Sequence, residues 1–313
     1  MRAFLVHNAG GPEVLREEII DLPVIGDNDV LVETKAIGLN PADYKIRSEA
    51  EGLAMVGGGE TPVILGWDIA GVVVDCGANV SHFQKGDRVF GMVNFPGQGK
   101  AYAEYVSAPE GHLAKIPAKV NFVDAAATTL AALTAYQVLN GKIKENDKVL
   151  IHAGSGGVGH FAVQMAKQFG GHVISTSSGK NRDFVMSLGA DEHIDYREQK
   201  FDDVLDDMDF VFDTVGGQTM EDSVNVLGQG GHLVTLLAFE APKELVANAD
   251  KRGATVSTAL VQSSGADMEA LADMLRDGTL KPTIAATFDF EELPTAHAEL
   301  EKGRTVGKVV VTL

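Results

Sequence analysis

Apolar residues follow two different patterns in successive parts of the chain. Over residues 1–117, short apolar runs are broken by Gly, Pro, Asn and Asp, and we interpret the runs at 30–37, 69–75 and 102–106 as strands. From Asp124 an alanine-rich segment predicts one helix to about Leu139. Beyond it, apolar strands alternate with amphipathic segments. The pattern predicts a mostly β region followed by an α/β region with a parallel sheet.

The later part of the chain continues this alternation. Predicted strands cover 149–151, 172–176, 192–195, 210–214, 231–236 and 255–259, and the acidic run 202–209 predicts an exposed helix and turn. After Gly265 we predict a helix over 268–276, a strand over 284–287, a helix over 293–302 and a final strand over 308–313.

A glycine-rich stretch lies between the strand at 149–151 and the next helix. Its residues are Gly154, Ser155, Gly156, Gly157, Val158 and Gly159. Glycines let the backbone turn tightly, and the N-terminus of the helix adds partial positive charge, so the stretch predicts a site for a dinucleotide pyrophosphate. A tight turn in another kind of α/β protein is the alternative, which the βα units that follow disfavour.

The residues after the second strand of this unit distinguish the two nicotinamide cofactors. NAD sites usually place Asp or Glu there, but Ser177, Ser178, Lys180 and Arg182 precede the first carboxylate, Asp183. Hydroxyls and cations suit a 2′-phosphate, so the sequence predicts NADP(H). The alternative for the two cations is a pair of solvated loop residues.

Composition excludes several classes of partner. The chain has 313 residues, 45% of them hydrophobic, and a formal net charge of -18, which argues against nucleic acid or an anionic membrane surface. Cys76 is the single cysteine, so no intrachain disulfide is possible. With no signal-like start and no long apolar run, the expected location is the cytoplasm.

Several motifs occur in an order typical of one superfamily. They are the stretches at 38–45, 66–71, 86–91, 125–136, 188–191 and 212–217 together with the glycine turn. In these the sequence resembles the medium-chain dehydrogenase/reductase superfamily, in particular its zinc-free quinone oxidoreductase and alkenal/enone reductase branch. The resemblance implies a GroES-like, mostly β catalytic domain (1–120, completed by 265–313), a doubly wound Rossmann domain (121–264), an active site in the cleft, and a homodimer.

Departures from the alcohol dehydrogenases of this superfamily bear on zinc. Where those enzymes place a cysteine, this chain reads Asn40 to Asp43 without a thiol; Trp67 replaces the histidine, and no cysteine occurs near Thr129. The nine histidines are scattered singly. We therefore expect no metal, and hydride delivery to an electron-poor acceptor instead of alcohol oxidation.

The resemblance implies an NADPH-dependent enzyme that transfers hydride to a quinone or to the β-carbon of an α,β-unsaturated carbonyl. Asn40, Tyr44 and Lys45 can all donate hydrogen bonds to the carbonyl oxygen, and by position Lys45 matches the lysine of the plant-type enone reductases. The alternative for Asn40 is a turn after a strand, with Asp43 capping a short helix.

Further cofactor contacts are carried over by position. They are Thr129, Thr134, Tyr196, Thr214, Val215, Leu237, Phe239 and Lys308, of which the two threonines have packing as an alternative. Trp67, Met55, Phe95 and Tyr102 are candidates to line the acceptor pocket, with core packing equally open. An NADPH-binding regulatory or structural protein with little turnover is the alternative function, and a polyketide-type enoyl reductase module is a third interpretation.

Overall fold

The computed structural model describes all residues from Met1 to Leu313, and the chain forms two compact units. The first unit contains Met1–Leu133 and Gln262–Leu313, and the second contains Thr134–Val261. None of the helices combines the length and the apolar character needed to cross a bilayer.

The first unit is mostly β. Its amino-terminal part contains β1 (Arg2–Val6), β2 (Leu15–Ile19), β3 (Asp29–Leu39), α1 (Pro41–Ser48), α2 (Ala50–Gly57), β4 (Asp68–Cys76), β5 (Arg88–Met92), β6 (Tyr105–Pro109), β7 (Leu113–Lys115) and α3 (Phe122–Ala127). After α3 comes α4 (Leu130–Leu139), which leads into the second unit.

Parallel strands form the centre of the second unit. Its elements are β8 (Lys148–Ile151), α5 (Gly159–Gln168), β9 (His172–Ser177), α6 (Arg182–Ser187), β10 (Glu192–Asp195), β11 (Met208–Asp213), α7 (Gln218–Ser223), β12 (Leu227–Thr235), α8 (Lys243–Lys251) and β13 (Thr255–Thr258). They form a six-stranded sheet in the order β10-β9-β8-β11-β12-β13, and every pair is parallel. The order reverses beside β8, as in a doubly wound Rossmann sheet, which confirms the predicted α/β class.

The chain then returns to the first unit. It adds α9 (Gly265–Asp277), β14 (Ile284–Asp289), α10 (Leu293–Glu301) and β15 (Lys308–Thr312). The last strand, β15, pairs antiparallel with β3, from Val309 opposite Leu39 to Thr312 opposite Ala36. A seven-stranded sheet results, in the order β14-β15-β3-β4-β5-β7 with β6 also on β3. Residue 308 is therefore brought beside the end of β3, although some 270 residues separate them in the sequence.

Three of the predicted elements differ from the structure. The exposed helix and turn predicted over 202–209 are shorter than expected, because only a 3-10 helix over Phe201–Asp203 forms and β11 already begins at the buried Met208. The single helix predicted from Asp124 to Leu139 is wrong, because it is interrupted at Thr128 and Thr129. The hydroxyl of Thr128 donates to the carbonyl of Asp124 (2.7 Å) and that of Thr129 to the carbonyl of Ala126 (2.8 Å). Threonines that bond back to the preceding turn often bend helices. The strand predicted from residue 102 begins only at Tyr105, because Tyr102 instead bonds through its N–H to Leu65 (3.0 Å).

Candidate active site

The predicted glycine turn lies at the carboxyl end of β8, beside the point where the strand order reverses. Ala153 has a φ of 52°, a left-handed conformation that is uncommon for a residue with a Cβ. Such outliers are concentrated at functional sites. The N–H of Gly154 donates to the carbonyl of Thr176 (3.0 Å), and that of Gly156 to the carbonyl of Ala153 (2.8 Å), which closes the turn.

Two of these glycines are required by close packing. A Cβ on Gly154 would lie 2.0 Å from the Ser175 hydroxyl oxygen, and one on Gly159 would lie 2.1 Å from the backbone oxygen of Ala153. Gly159 begins α5, and the next two N–H groups, of His160 and Phe161, donate to the carbonyls of Gly156 (3.1 Å) and Val158 (3.1 Å), so the helix starts on the turn itself. Residues 153–159, the glycine turn, are the backbone for which the sequence predicts a dinucleotide pyrophosphate.

Neighbouring strand ends hold the other predicted residues on this side of the sheet. The Ser155 hydroxyl accepts from the Asn181 amide (2.9 Å), and the Thr214 hydroxyl donates to the carbonyl of His152 (3.0 Å). Val215, Leu237 and Phe239 are exposed, Phe239 by 87%. Their place as cofactor contacts stays a prediction.

The predicted 2′-phosphate region is organised around Asp195, a residue that the sequence had not singled out. Its two carboxylate oxygens accept from the backbone N–H groups of Gly179 (2.8 Å) and Arg197 (3.0 Å). This carboxylate is thus engaged by the backbone. Lys180 is exposed, and Tyr196 is 58% exposed. The Arg197 guanidinium lies 5.6 Å from the centre of the Tyr196 ring, which adds a cation missed in the sequence.

The two predicted serines are less available than expected. Both are buried, and the Ser177 hydroxyl donates to the Ser178 carbonyl (3.2 Å) and lies 2.8 Å from His193 Nε2. Their place as phosphate ligands stays a prediction.

Asn40 of the first unit lies between β3 and α1 and is only 2% exposed. Its backbone N–H donates to the carboxylate of Asp43 (2.7 Å), so Asp43 does cap the helix, as one interpretation of the sequence expected. Its side-chain amide donates to Asp68 Oδ2 (2.7 Å) and accepts from Lys308 Nζ (2.5 Å). We call Asn40, Asp68 and Lys308 the Asn40 cluster.

Lys308, predicted to contact the cofactor, is 3% exposed and belongs to this cluster. Its ammonium also donates to the carbonyl of Leu39 (2.7 Å) and lies 3.8 Å from Asp68 Oδ2. The other oxygen of Asp68 accepts from the backbone N–H of Leu130 (3.0 Å). That N–H is the first after the interruption at Thr128 and Thr129, so the break in the helix supplies a donor to the cluster.

Burial dominates the electrostatics of this region. It raises the pKa of Asp43 to about 7, against the hydrogen bond from Asn40, and it also raises the pKa of Asp68, against the attraction of Lys308. Burial lowers the pKa of Lys308, while Asp68 and Asp43 oppose that shift. The Lys308 ammonium is therefore the single cation that opposes the raised pKa values of two buried carboxyl groups, those of Asp43 and Asp68.

A second buried chain of polar groups anchors α1 to α10. The Arg47 guanidinium donates to His297 Nδ1 (2.8 Å) and pairs with Glu301 (2.6 Å), and the other nitrogen of His297 lies 2.8 Å from the Tyr102 hydroxyl. An arginine can only donate, so Nδ1 is the acceptor and Nε2 carries the proton. Burial lowers the pKa of His297 to about 3, and the ring stays neutral.

The remaining predicted residues of the first unit lie in different environments. Tyr44 is half-buried and Lys45 is exposed on α1, whereas Thr129 is fully buried beside Asp68. Thr134, at the start of the second unit, is 4% exposed. Trp67 and Tyr102 are fully buried, which favours core packing over the acceptor pocket, while Met55 is exposed.

Comparison with known proteins places the chain in a family. Residues 26–118 match the family model "Alcohol dehydrogenase GroES-like domain", and residues 188–311 match "Zinc-binding dehydrogenase". A 2-methylene-furan-3-one reductase from Solanum lycopersicum is 34% identical over 99% of this chain and 79% of the relative. The chain belongs to the medium-chain dehydrogenase/reductase superfamily.

Solved structures of this superfamily agree over the whole chain. The quinone oxidoreductase from Coxiella burnetii has a TM-score of 0.93 at 34% identity and covers 100% of this chain and 99% of that one. The Escherichia coli quinone oxidoreductase complexed with NADPH has a TM-score of 0.89 at 28% identity and covers 100% of both chains.

One of these family models is named for zinc, so the residues must be tested against it. The chain contains no group of three or more His, Cys, Asp or Glu side chains that could hold a metal ion. In the Asn40 cluster the single carboxylate already faces a lysine ammonium and accepts two N–H groups. Zinc sites use thiolate, imidazole and carboxylate ligands, so the residues of this superfamily member do not fit a catalytic zinc.

Sequence reasoning missed four residues of these sites: Asp68, Asp195, Arg197 and His297. Asp68 stood inside the quoted 66–71 motif, where its carboxylate could have been noticed. Asp195 and His297 are recognised by contacts with distant parts of the chain, and Arg197 follows directly after the predicted Tyr196, where its cation could also have been noticed.

Proposed function

We propose that this protein is an NADPH-dependent, zinc-independent reductase that delivers hydride to a quinone or to the β-carbon of an α,β-unsaturated carbonyl. The observation that carries the proposal is the Asn40 cluster, in which an amide, a carboxylate and an ammonium stand without thiol or imidazole ligands. The relative named a 2-methylene-furan-3-one reductase and the two quinone oxidoreductase structures support this class of acceptor.

The cofactor proposal rests on the glycine turn and the region around Asp195. We assign the pyrophosphate to residues 153–159 and the 2′-phosphate to Lys180, Tyr196 and Arg197, because both oxygens of Asp195 are held by backbone N–H groups. Bound there, NADPH supplies the hydride. The Escherichia coli structure complexed with NADPH supports NADPH as the cofactor.

The chain's own contribution is to position the acceptor and to stabilise charge on its oxygen. In an enone or quinone, negative charge gathers on the carbonyl oxygen as hydride arrives at the conjugated system. Tyr44 and Lys45 on α1 are the donors we assign to that oxygen, and Asn40 fixes the start of the helix that carries them.

The test is loss of reduced-cofactor absorbance by chelator-treated protein, with NADPH or NADH, against quinones, alkenals and enones. We expect turnover with NADPH that added zinc does not increase. If activity required zinc, the metal-free assignment would be wrong. Tight NADPH binding without turnover on any acceptor would favour an NADPH-binding regulatory protein instead.

Two further properties belong to this proposal. Strand β13 is the last strand of the parallel sheet, and its free edge is available to pair with a second copy, so we propose a homodimer formed through it. Sedimentation of the purified protein tests that assembly. A cytoplasmic location remains our expectation from the composition.

A further inference from the structure

Asn40 is held in place at both its backbone and its side chain. The backbone N–H is bound by Asp43, and the amide lies between a carboxylate and an ammonium. An ammonium has only donors and an ionised carboxylate has only acceptors. The amide oxygen must therefore face Lys308 and the amide nitrogen must face Asp68. In the reversed orientation the amide nitrogen would face the ammonium, which is also a donor, and the amide oxygen would face the carboxylate, which is also an acceptor.

Lys308 has little capacity for any other partner. Its ammonium donates to the Leu39 carbonyl at 2.7 Å and to the Asn40 amide oxygen at 2.5 Å, and it forms an ion pair with the Asp68 carboxylate at 3.8 Å. The side chain is also almost fully buried. Any influence of Lys308 on a bound molecule therefore passes through another residue, and Asn40 is its closest side-chain partner.

Asp68 completes this arrangement from the opposite side. It accepts the second amide contact and the N–H of Leu130, so its carboxylate cannot turn away without leaving a buried donor unpaired. Both anchors of the Asn40 amide are themselves fixed. Hydrogen bonds in such a buried network polarise one another, and an ammonium on the amide oxygen makes the amide N–H a stronger donor.

We propose that Lys308 is a positioning residue of the reductase: with Asp68 it fixes the direction of the Asn40 amide, and it supports turnover through that amide. The inference rests on the proposed function. It gives Lys308 a role within the Asn40 cluster, in place of the cofactor contact that its position in the sequence suggested.

The test is a double-mutant cycle on turnover with NADPH and an acceptor that the wild type reduces. The variants are Asn40→Ala, Lys308→Met and the combination, with kcat and both KM values measured. We expect Lys308→Met to lower kcat by about tenfold or more, with KM for NADPH changed by less than about twofold. In the Asn40→Ala background, Lys308→Met should alter kcat by less than about twofold, because the amide through which Lys308 acts is already absent.

Lys115→Met is the matched control, because Lys115 is an exposed lysine at the end of β7 that pairs with Asp87 at 2.8 Å. It should leave kcat unchanged. If Lys308→Met does not fold, the pair Asp68→Asn with Lys308→Met removes both charges together. That variant should show the same fall in kcat.

Two results would overturn the inference in an active enzyme. One is a combined variant whose fall in kcat equals the product of the falls in the two single variants, because the two residues would then act independently. The other is a rise in KM for NADPH on Lys308→Met with kcat unchanged, which would make Lys308 a cofactor ligand after all. A wild type that reduces no acceptor would overturn the proposed function, and the inference with it.

Discussion

The glycine turn and the Asn40 cluster are built from different parts of the polypeptide. In the glycine turn the groups that can face a ligand are backbone N–H donors, and the side chains matter mainly by being absent. The Asn40 cluster consists of three side chains, each of which is buried and in contact with the other two. Substitution should therefore affect the first region through shape and the second through charge.

The largest expected effect that sharpens this contrast is at Gly159. In Gly159→Ala the new Cβ would lie 2.1 Å from the backbone oxygen of Ala153, which cannot move without opening the turn. Overpacking of this kind costs about 1–3 kcal/mol of stability. We expect a loss in the free energy of unfolding of this size, measured in urea, and NADPH affinity weakened by about tenfold or more in titration.

Gly111→Ala is the control, since a Cβ there would meet nothing within 4 Å. Unchanged NADPH affinity in Gly159→Ala would show that the turn tolerates expansion. The region would then not depend on shape, and the contrast with the Asn40 cluster would be lost.

The effect of charge at the Asn40 cluster is tested through Asp43, whose carboxylate accepts from the backbone N–H of Asn40. Burial raises its pKa from 3.8 to about 7, so the folded chain holds a proton that the unfolded chain releases between these values. Its contribution to stability is complete below the unfolded pKa and is lost as pH rises toward 7. We expect the stability of the wild type relative to Asp43→Asn to fall by roughly 2 kcal/mol between pH about 4.5 and about 6.

Denaturant unfolding of both proteins across this range gives the difference directly. Asp277→Asn, at the exposed end of α9, should follow the pH dependence of the wild type. A constant difference between the wild type and Asp43→Asn would mean that Asp43 is ionised throughout, with its charge balanced by Lys308.

The smallest expected effect is at Lys180, one of the side chains that we assign to the 2′-phosphate. Lys180→Ala should weaken NADPH binding by about tenfold and leave NADH binding nearly unchanged, since only NADPH carries the 2′-phosphate. Competition titrations with both cofactors measure this. Lys200→Ala, another exposed lysine of the second unit, is the control. Equal losses for both cofactors would remove Lys180 from the phosphate site.

The sequence could predict those features that depend on local residues, and it missed those that depend on contacts between distant parts of the chain. Most strands were predicted within a few residues, several of them because their apolar runs are continuous, as in β4, β8 and β15. The glycine turn was predictable because its conformational requirement is local. The interruption at Thr128 was missed, because alanine-rich spacing continues through it and only the hydrogen bonds reveal it.

The Asn40 cluster was only partly predictable. Asn40 was identified by motif, but its partners come from positions 68, 130 and 308, and strand pairing across the sheet brings them together. Lys308 was assigned to the cofactor by position alone. Its burial and its two hydrogen-bond acceptors, the Leu39 carbonyl and the Asn40 amide oxygen, depend on the packing of β15 against β3, which no local pattern contains.

Because Lys308 comes from the last strand, the order of synthesis matters for this protein. A ribosome makes the residues of β3 and β4 long before β15, and domains generally fold as units as they emerge. Throughout that interval Asp68 and Asp43 have no internal cation, and β3 lacks its pairing with β15. Nascent chains that end before residue 308 should therefore keep this sheet open to proteases, while the second unit, complete by Val261, becomes resistant first.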